Sequence, residues 1–119
     1  MAYDPEFGDW VRDHLAGLGP IEIKRMFGGA GVKQHGAMFA ILDDGMIWLK
    51  ADADLAEALE AEGARQFTYP TKDGQTMAMA YWSMPETAVD DPDEAVAWAR
   101  RSVEVALRPK PGKRKKPPS

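Results

Sequence analysis

Between residues 24 and 32 the chain reads Lys24-Arg25-Met26-Phe27-Gly28-Gly29-Ala30-Gly31-Val32, with three glycines in four positions directly after two large apolar side chains. Positions without a Cβ either bend the backbone sharply or let another segment come close. A phosphate cradle would need these glycines to open a helix and would carry a following Gly-Lys-Ser/Thr. Here they lead into a strand instead. The run is therefore read as a bulge or tight bend inside a hairpin, with Met26 and Phe27 anchoring it.

The rest of the chain falls into elements around that hairpin. Asp4 caps a first helix and Pro5 suits its first position. Phe7, Trp10, Val11, His14, Leu15 and Leu18 recur at helical spacing, and Gly17, Gly19 and Pro20 stop it. Ile21 and Ile23 alternate with Glu22 and Lys24 as in a half-buried strand, and a second strand runs around Val32 to Gln34. His35-Gly36 and Asp43-Asp44-Gly45 are turn signals that bracket a strand from Ala37 to Leu42, and Met46 to Lys50 pairs back on it. A second helix, capped by Asp52 or Asp54, buries Leu55, Ala58 and Leu59 and stops at Gly63. Strands at Phe67–Tyr69 and Met77–Met84 follow around a Lys72–Gln75 turn. Asp91, Pro92 and Glu94 then open a last helix whose small-residue face is Ala95, Trp98, Ala99, Ser102, Val103, Ala106 and Leu107. The order α-β-β-β-β-α-β-β-α on short turns predicts an α+β domain, an antiparallel sheet with helices packed on it.

Length and composition set limits on what such a domain does. The 119 residues, 45% apolar, suffice for one core and not for two. With no Cys, disulfides, thiolate catalysis and Cys-based zinc sites are excluded. No secretory signal and no apolar run of about 20 residues is visible, so a cytoplasmic protein without a membrane span is expected. The net charge of -4 hides a division: Arg108 to Ser119 holds six of the fifteen Lys and Arg, four of the nine Pro and no acid. The domain is thus expected over residues 1–107, with 108–119 as an extended, disordered basic Pro/Lys-rich tail.

Several motifs, taken together in their order, carry a resemblance. Arg25-Met26-Phe27-Gly28-Gly29 with Gly31, then Gly36 and Met38-Phe39-Ala40, then Ile47-Trp48-Leu49-Lys50 form the first part of it. Phe67-Thr68-Tyr69, Met79-Ala80-Tyr81-Trp82 with Pro85, and Asp91 with Trp98-Ala99 complete it. From about Trp10 to Leu107 the chain resembles the TfoX N-terminal domain family, a bacterial group tied to competence regulation. Lys33 stands where members often place an aromatic residue. The resemblance implies a non-enzymatic regulatory or protein-interaction module linked to transcription or competence, with self-association as a homodimer.

Arg25 and whichever of the strand neighbours Tyr81 and Trp82 is exposed are the candidate partner contacts, since adjacent strand residues face opposite ways. Met26, Phe27, Gly28, Gly29 and Gly31 are the structural signature. Trp48, Tyr69, Tyr81 and Trp82 are aromatic enough for a base-stacking platform, but such platforms are basic and the body carries -10, which favours core or dimer contact. Lys113, Arg114, Lys115 and Lys116 in the tail are candidate nucleic-acid contacts, which gives the alternative of a small nucleic-acid-associated protein. His14 reads as a packed, hydrogen-bonded core histidine and His35 as a solvated turn residue. The acid clusters read as turn residues and caps rather than a calcium loop. No catalytic residue, cofactor or metal site is expected.

Overall fold

Two left-handed dipeptides set the register of the central sheet. His35 and Gly36 have φ of 55° and 80°, and Asp44 and Gly45 have 54° and 74°. Two consecutive residues at positive φ twist a hairpin the way its strands twist, which makes these the tight turns the sequence predicts. They join β2 (Gly29–Gln34), β3 (Ala37–Asp43) and β4 (Met46–Lys50). With β1 (Glu22–Met26), β5 (Gln66–Pro70) and β6 (Thr76–Ser83) they form one six-stranded antiparallel sheet in the order β1-β2-β3-β4-β6-β5. The structure is a computed structural model that describes residues 4–26 and 29–108. The helices are α1 (Pro5–His14), α2 (Ala53–Ala61), α3 (Glu86–Val89) and α4 (Pro92–Leu107), and a 3-10 turn at Ala16–Leu18 follows α1.

The α+β reading and its element order hold, with α3 as an addition. The caps fall on named residues. Asp4 accepts from Glu6 N–H, Asp52 from Leu55 N–H, and Asp91 from Asp93 and Glu94 N–H. Asp52 rather than Asp54 is therefore the second cap. The Leu55 N–H and the Arg108 guanidinium hold the Asp52 carboxyl below its ordinary 3.8, against a smaller opposing effect of burial. At α4 the Asp91 N–H donates to the Ala88 carbonyl rather than to the Glu94 side chain. Glu94 accepts from the Thr87 hydroxyl at 2.8 Å instead, tying α3 to α4.

Helices cover one face of the sheet. Val11, Leu15, Leu55, Leu59, Ala88, Ala95, Ala99 and Val103 share a single buried cluster with Ala30, Val32, Phe39, Ala40, Leu42, Ile47 and Leu49 of the strands. Residues paired across a ladder lie on the same face. The pairs Gly31↔Ile41, Ile41↔Trp48 and Lys50↔Tyr81 therefore belong to the other face, which no described helix covers. A bulge in the β2–β3 ladder leaves Phe39 without a partner, between the pairs Val32↔Ala40 and Lys33↔Met38. The fully buried Ser102 hydroxyl meets the carbonyls of Phe39 and Lys50 at 2.8 and 2.7 Å. It binds α4 to the sheet where the ladder is interrupted.

Of the glycine run, Gly29 and Gly31 work through close approach. Neither has positive φ, and both lie in the strand β2, whose Gly29 pairs with Met26 to make β1 and β2 the expected hairpin. A bulge lies outside the run, in the β2–β3 pairing between Val32 and Lys33. A Cβ on Gly29 would stand 2.5 Å from the Leu42 carbonyl oxygen, and one on Gly31 would stand 2.5 and 2.9 Å from the Met38 and Met26 sulfurs. Gly31 thus makes room for two methionine side chains crossing the helix-free face. Phe27 and Gly28 of the signature lie outside the described residues.

The two glycines differ in what they touch, and substitution separates them. Gly29→Ala drives a methyl into backbone and is expected to cost about 2–3 kcal/mol, while at Gly31→Ala flexible thioethers swing aside and the cost stays under about 1 kcal/mol. Urea midpoints of the two variants check the ranking, and equal losses would refute it.

Candidate functional site

Three aromatic rings stand in a row along α1. Phe7 stacks on Trp10 at 5.8 Å between centroids, and Trp10 stacks on His14 at 4.5 Å, with interplanar angles of 11° and 16°. The spacing of three and four residues puts all three on one helix side. His14 is 8% exposed, as the sequence predicts for a core histidine. Its Nε2 lies 2.8 Å from the Ala88 carbonyl, an acceptor only, so Nε2 carries the proton and donates. That bond fixes α1 to α3.

Phe7 and Trp10 share the helix side that the spacing predicts but lie at its edge, where Phe7 packs against the core cluster. Phe7 is half-buried and Trp10 is 39% exposed. They form one wall of a groove of about 300 Å3 whose other lining residues are Gly45, Met46, Ile47, Met84 and Val89. Val89, on α3, is 41% exposed at the opposite lip. The walls are tied together: Met84 N–H donates to Ile47 C=O at 2.9 Å, and His14 holds Ala88 beside Val89. Exposed acids neighbour these lining residues in the chain, with Glu6 beside Phe7, Asp9 beside Trp10, Asp44 beside Gly45 and Asp90 beside Val89. Arg12, two residues from Trp10, donates to the Ile21 carbonyl at 2.9 Å. The groove is an apolar slot whose lining residues have these acids as chain neighbours, while the Arg65 guanidinium reaches the Met46 sulfur at 3.5 Å.

The residues singled out from sequence lie elsewhere. Arg25 is exposed on the edge strand β1, opposite Ala30 in the ladder. Tyr81 and Trp82 do face opposite ways, but neither is exposed. Tyr81 is 6% exposed on the helix-free face, where burial pushes its phenol pKa up, and Trp82 is half-buried against the core. The expectation of one exposed member fails because both sheet faces at this point are covered by side chains. The structure also breaks up the stacking platform. Trp48, 9% exposed, packs against Phe67 at 4.9 Å and under Arg65 at 5.9 Å, so its ring faces are occupied. Tyr69 alone of the four is openly exposed, at 41%. Lys113, Arg114, Lys115 and Lys116 lie outside the described residues.

The groove was hard to read from the chain because its second lip is α3, a four-residue helix with no periodic signal of its own. The first lip was visible only as Phe7 and Trp10 at helical spacing.

No helix among the described residues is long and apolar enough to cross a membrane. No curated protein matches the chain. The TfoX N-terminal domain family matches over residues 13–106, nearly the whole of the folded body, and the chain belongs to that family.

His14→Phe keeps a ring against Trp10 and deletes the donor to Ala88. The variant is expected to lose about 1–3 kcal/mol, the cost of a buried carbonyl left without its partner. Chemical denaturation checks it, and an unchanged midpoint would show that the bond between α1 and α3 adds nothing.

Proposed function

We propose that this member of the TfoX N-terminal domain family is a non-enzymatic regulatory module, that it acts in transcription or competence control by binding another protein, and that the groove between α1 and α3 is its contact. One observation carries the reading: the groove keeps Trp10 and Val89 exposed on lips that buried hydrogen bonds hold in place. Large apolar side chains on a rigid, concave surface are what protein contacts use as anchors. A preformed groove also spares a partner the cost of ordering it. Family membership supports the regulatory setting. Arg25, exposed on the edge strand β1, remains a candidate for a second contact.

The test uses the transcript profile of cells lacking the chain, complemented with wild type or with groove variants. Trp10→Ala and Val89→Ser change exposed positions, so both should keep the wild-type melting temperature to within a few degrees. Neither should restore the profile. Full restoration by both would remove the groove from the function.

A second reading rests on the charge of the tail, six cations in the last twelve residues. Lys113, Arg114, Lys115 and Lys116 would bind nucleic acid through phosphates, without sequence preference. Titration of labelled duplex DNA with the full chain should then give an affinity that falls at least tenfold between 50 and 200 mM salt, on the order expected for a few phosphate contacts. Changing these four residues to Gln should abolish binding, and binding that survives the change would end this reading.

A further inference from the structure

The groove has the chemistry of a site for proline-rich basic chain, and this protein carries such a chain itself. We propose that the groove between α1 and α3 takes the Pro/Lys-rich segment 108–119 of a second copy of this protein. The inference rests on the reading of the groove as a protein contact and names its occupant.

Three observations lead there. The first is shape and lining. Phe7 and Trp10 present stacked aromatic rings on one side, with Met84 and Val89 among the residues that complete the slot. Aromatic-lined slots suit proline rings, because a polyproline stretch is already extended and loses little freedom on docking. The segment supplies Pro109, Pro111, Pro117 and Pro118.

The second is charge. Glu6, Asp9, Asp44 and Asp90 neighbour the lining residues, and Glu86 lies one helical turn before Val89. The nearby Arg12 is committed to the Ile21 carbonyl. Arg65 sits over the Trp48 ring and against the Met46 sulfur. To these five acids the segment brings Lys110, Lys113, Arg114, Lys115 and Lys116 with no acid of its own. Pairing at a rim steers the encounter and fixes orientation more than it adds affinity.

The third is reach, and it selects a second copy over the same chain. Arg108 follows the last residue of α4, where it pairs with Asp52, whereas the groove's α3 lip lies just before the first residue of α4. The two ends of this 16-residue helix are about 24 Å apart at 1.5 Å per residue. A polyproline path from Arg108 covers about 15–25 Å to residues 113–116 and about 28–31 Å to Pro117 and Pro118, at 3.1 Å per residue. To dock on its own chain the segment would have to run nearly straight back along α4 at almost full stretch, and only Pro117 and Pro118 would arrive, with Lys113 to Lys116 left alongside the helix. On a second copy the whole segment is free to enter the groove.

Sedimentation velocity on the full chain tests this. Wild type should show a sedimentation coefficient that rises with concentration over the micromolar range and falls back between 50 and 300 mM salt. Trp10→Ala, which keeps the segment and loses the groove, should weaken association at least tenfold. The double change Pro117→Ser and Pro118→Ser, which keeps the groove and loses the segment, should do the same. An equimolar mixture of the two variants should associate again, since one intact groove then meets one intact segment. Val89→Ser on the other lip replaces Trp10→Ala should that variant melt early. A wild type that stays monomeric overturns the proposal, and so does association that the proline change leaves untouched. If the groove change alone abolishes association, the segment is refuted as occupant while the groove stands as a protein contact.

Discussion

The hydroxyl of Ser102 is the point on which the two layers meet. A bulge takes the Phe39 carbonyl out of the β2–β3 ladder, and β4 ends at Lys50. The Ser102 hydroxyl lies within hydrogen-bond distance of both, the Phe39 contact buried and the Lys50 contact part-buried, and its one proton is shared between them. Buried acceptors without partners are costly, so this contact helps set the position of α4 along the sheet. Ala95, Ala99 and Val103 on the same helix side are buried without crowding, and small residues let α4 lie close enough for a short side chain to span the gap. A serine inside a helix usually competes with the helix's own backbone. Here it turns outward and serves the sheet.

Once α4 is fixed, α3 and α1 follow from it. Thr87 bonds Glu94 on α4, and His14 bonds Ala88 on α3. The imidazole does two things at once: it satisfies a buried carbonyl through Nε2 and stacks against Trp10. Because the histidine is held from below, the indole stacked between it and Phe7 stands as a wall that stays 39% exposed. The groove is thus the place where core packing stops short of the surface, between helices whose spacing the core dictates. Its rigidity comes from buried hydrogen bonds, although its lining is apolar.

Much of this was legible in the chain, and for identifiable reasons. Asp44-Gly45 and His35-Gly36 announce hairpins because few residues take positive φ, and Asp4-Pro5 and Asp91-Pro92 announce helix starts because caps and proline act locally. The family resemblance was legible for the same reason, since its motifs are turns, strands and caps in a fixed order. What was not legible is long-range. Nothing near Gly29 in sequence says that the Leu42 carbonyl will lie against it, and nothing near Tyr81 says that its face will be covered without a helix. Periodicity placed Trp10 on the right side of α1, but it reports which side of a helix a residue occupies and not how far the opposite wall extends. The candidate contacts Tyr81 and Trp82 came from alternation, which gave their opposed directions correctly and left their exposure undetermined.

Charge shows the same limit, since a total averages over layers that the fold separates. Fifteen of the nineteen acids sit on helices or their caps, whereas the six strands hold Lys24, Arg25, Lys33 and Lys50 against Glu22 and Asp43. The acidity of the body is therefore a property of the helical layer. Helix starts recruit acids as caps and dipole partners, which accounts for Asp4, Glu6, Asp52, Asp54, Asp91, Asp93 and Glu94 on grounds of stability alone. Part of the groove is lined from that layer, by Phe7, Trp10 and Val89, so some of the acids next to its lining in the chain also have a part in helix capping and helix dipoles. The strands, by contrast, carry both signs with a small excess of cations, so the two layers differ in charge and the difference acts over about 10 Å before salt screens it. Helix capping thus sets part of the field that any charged chain meets on the helical side.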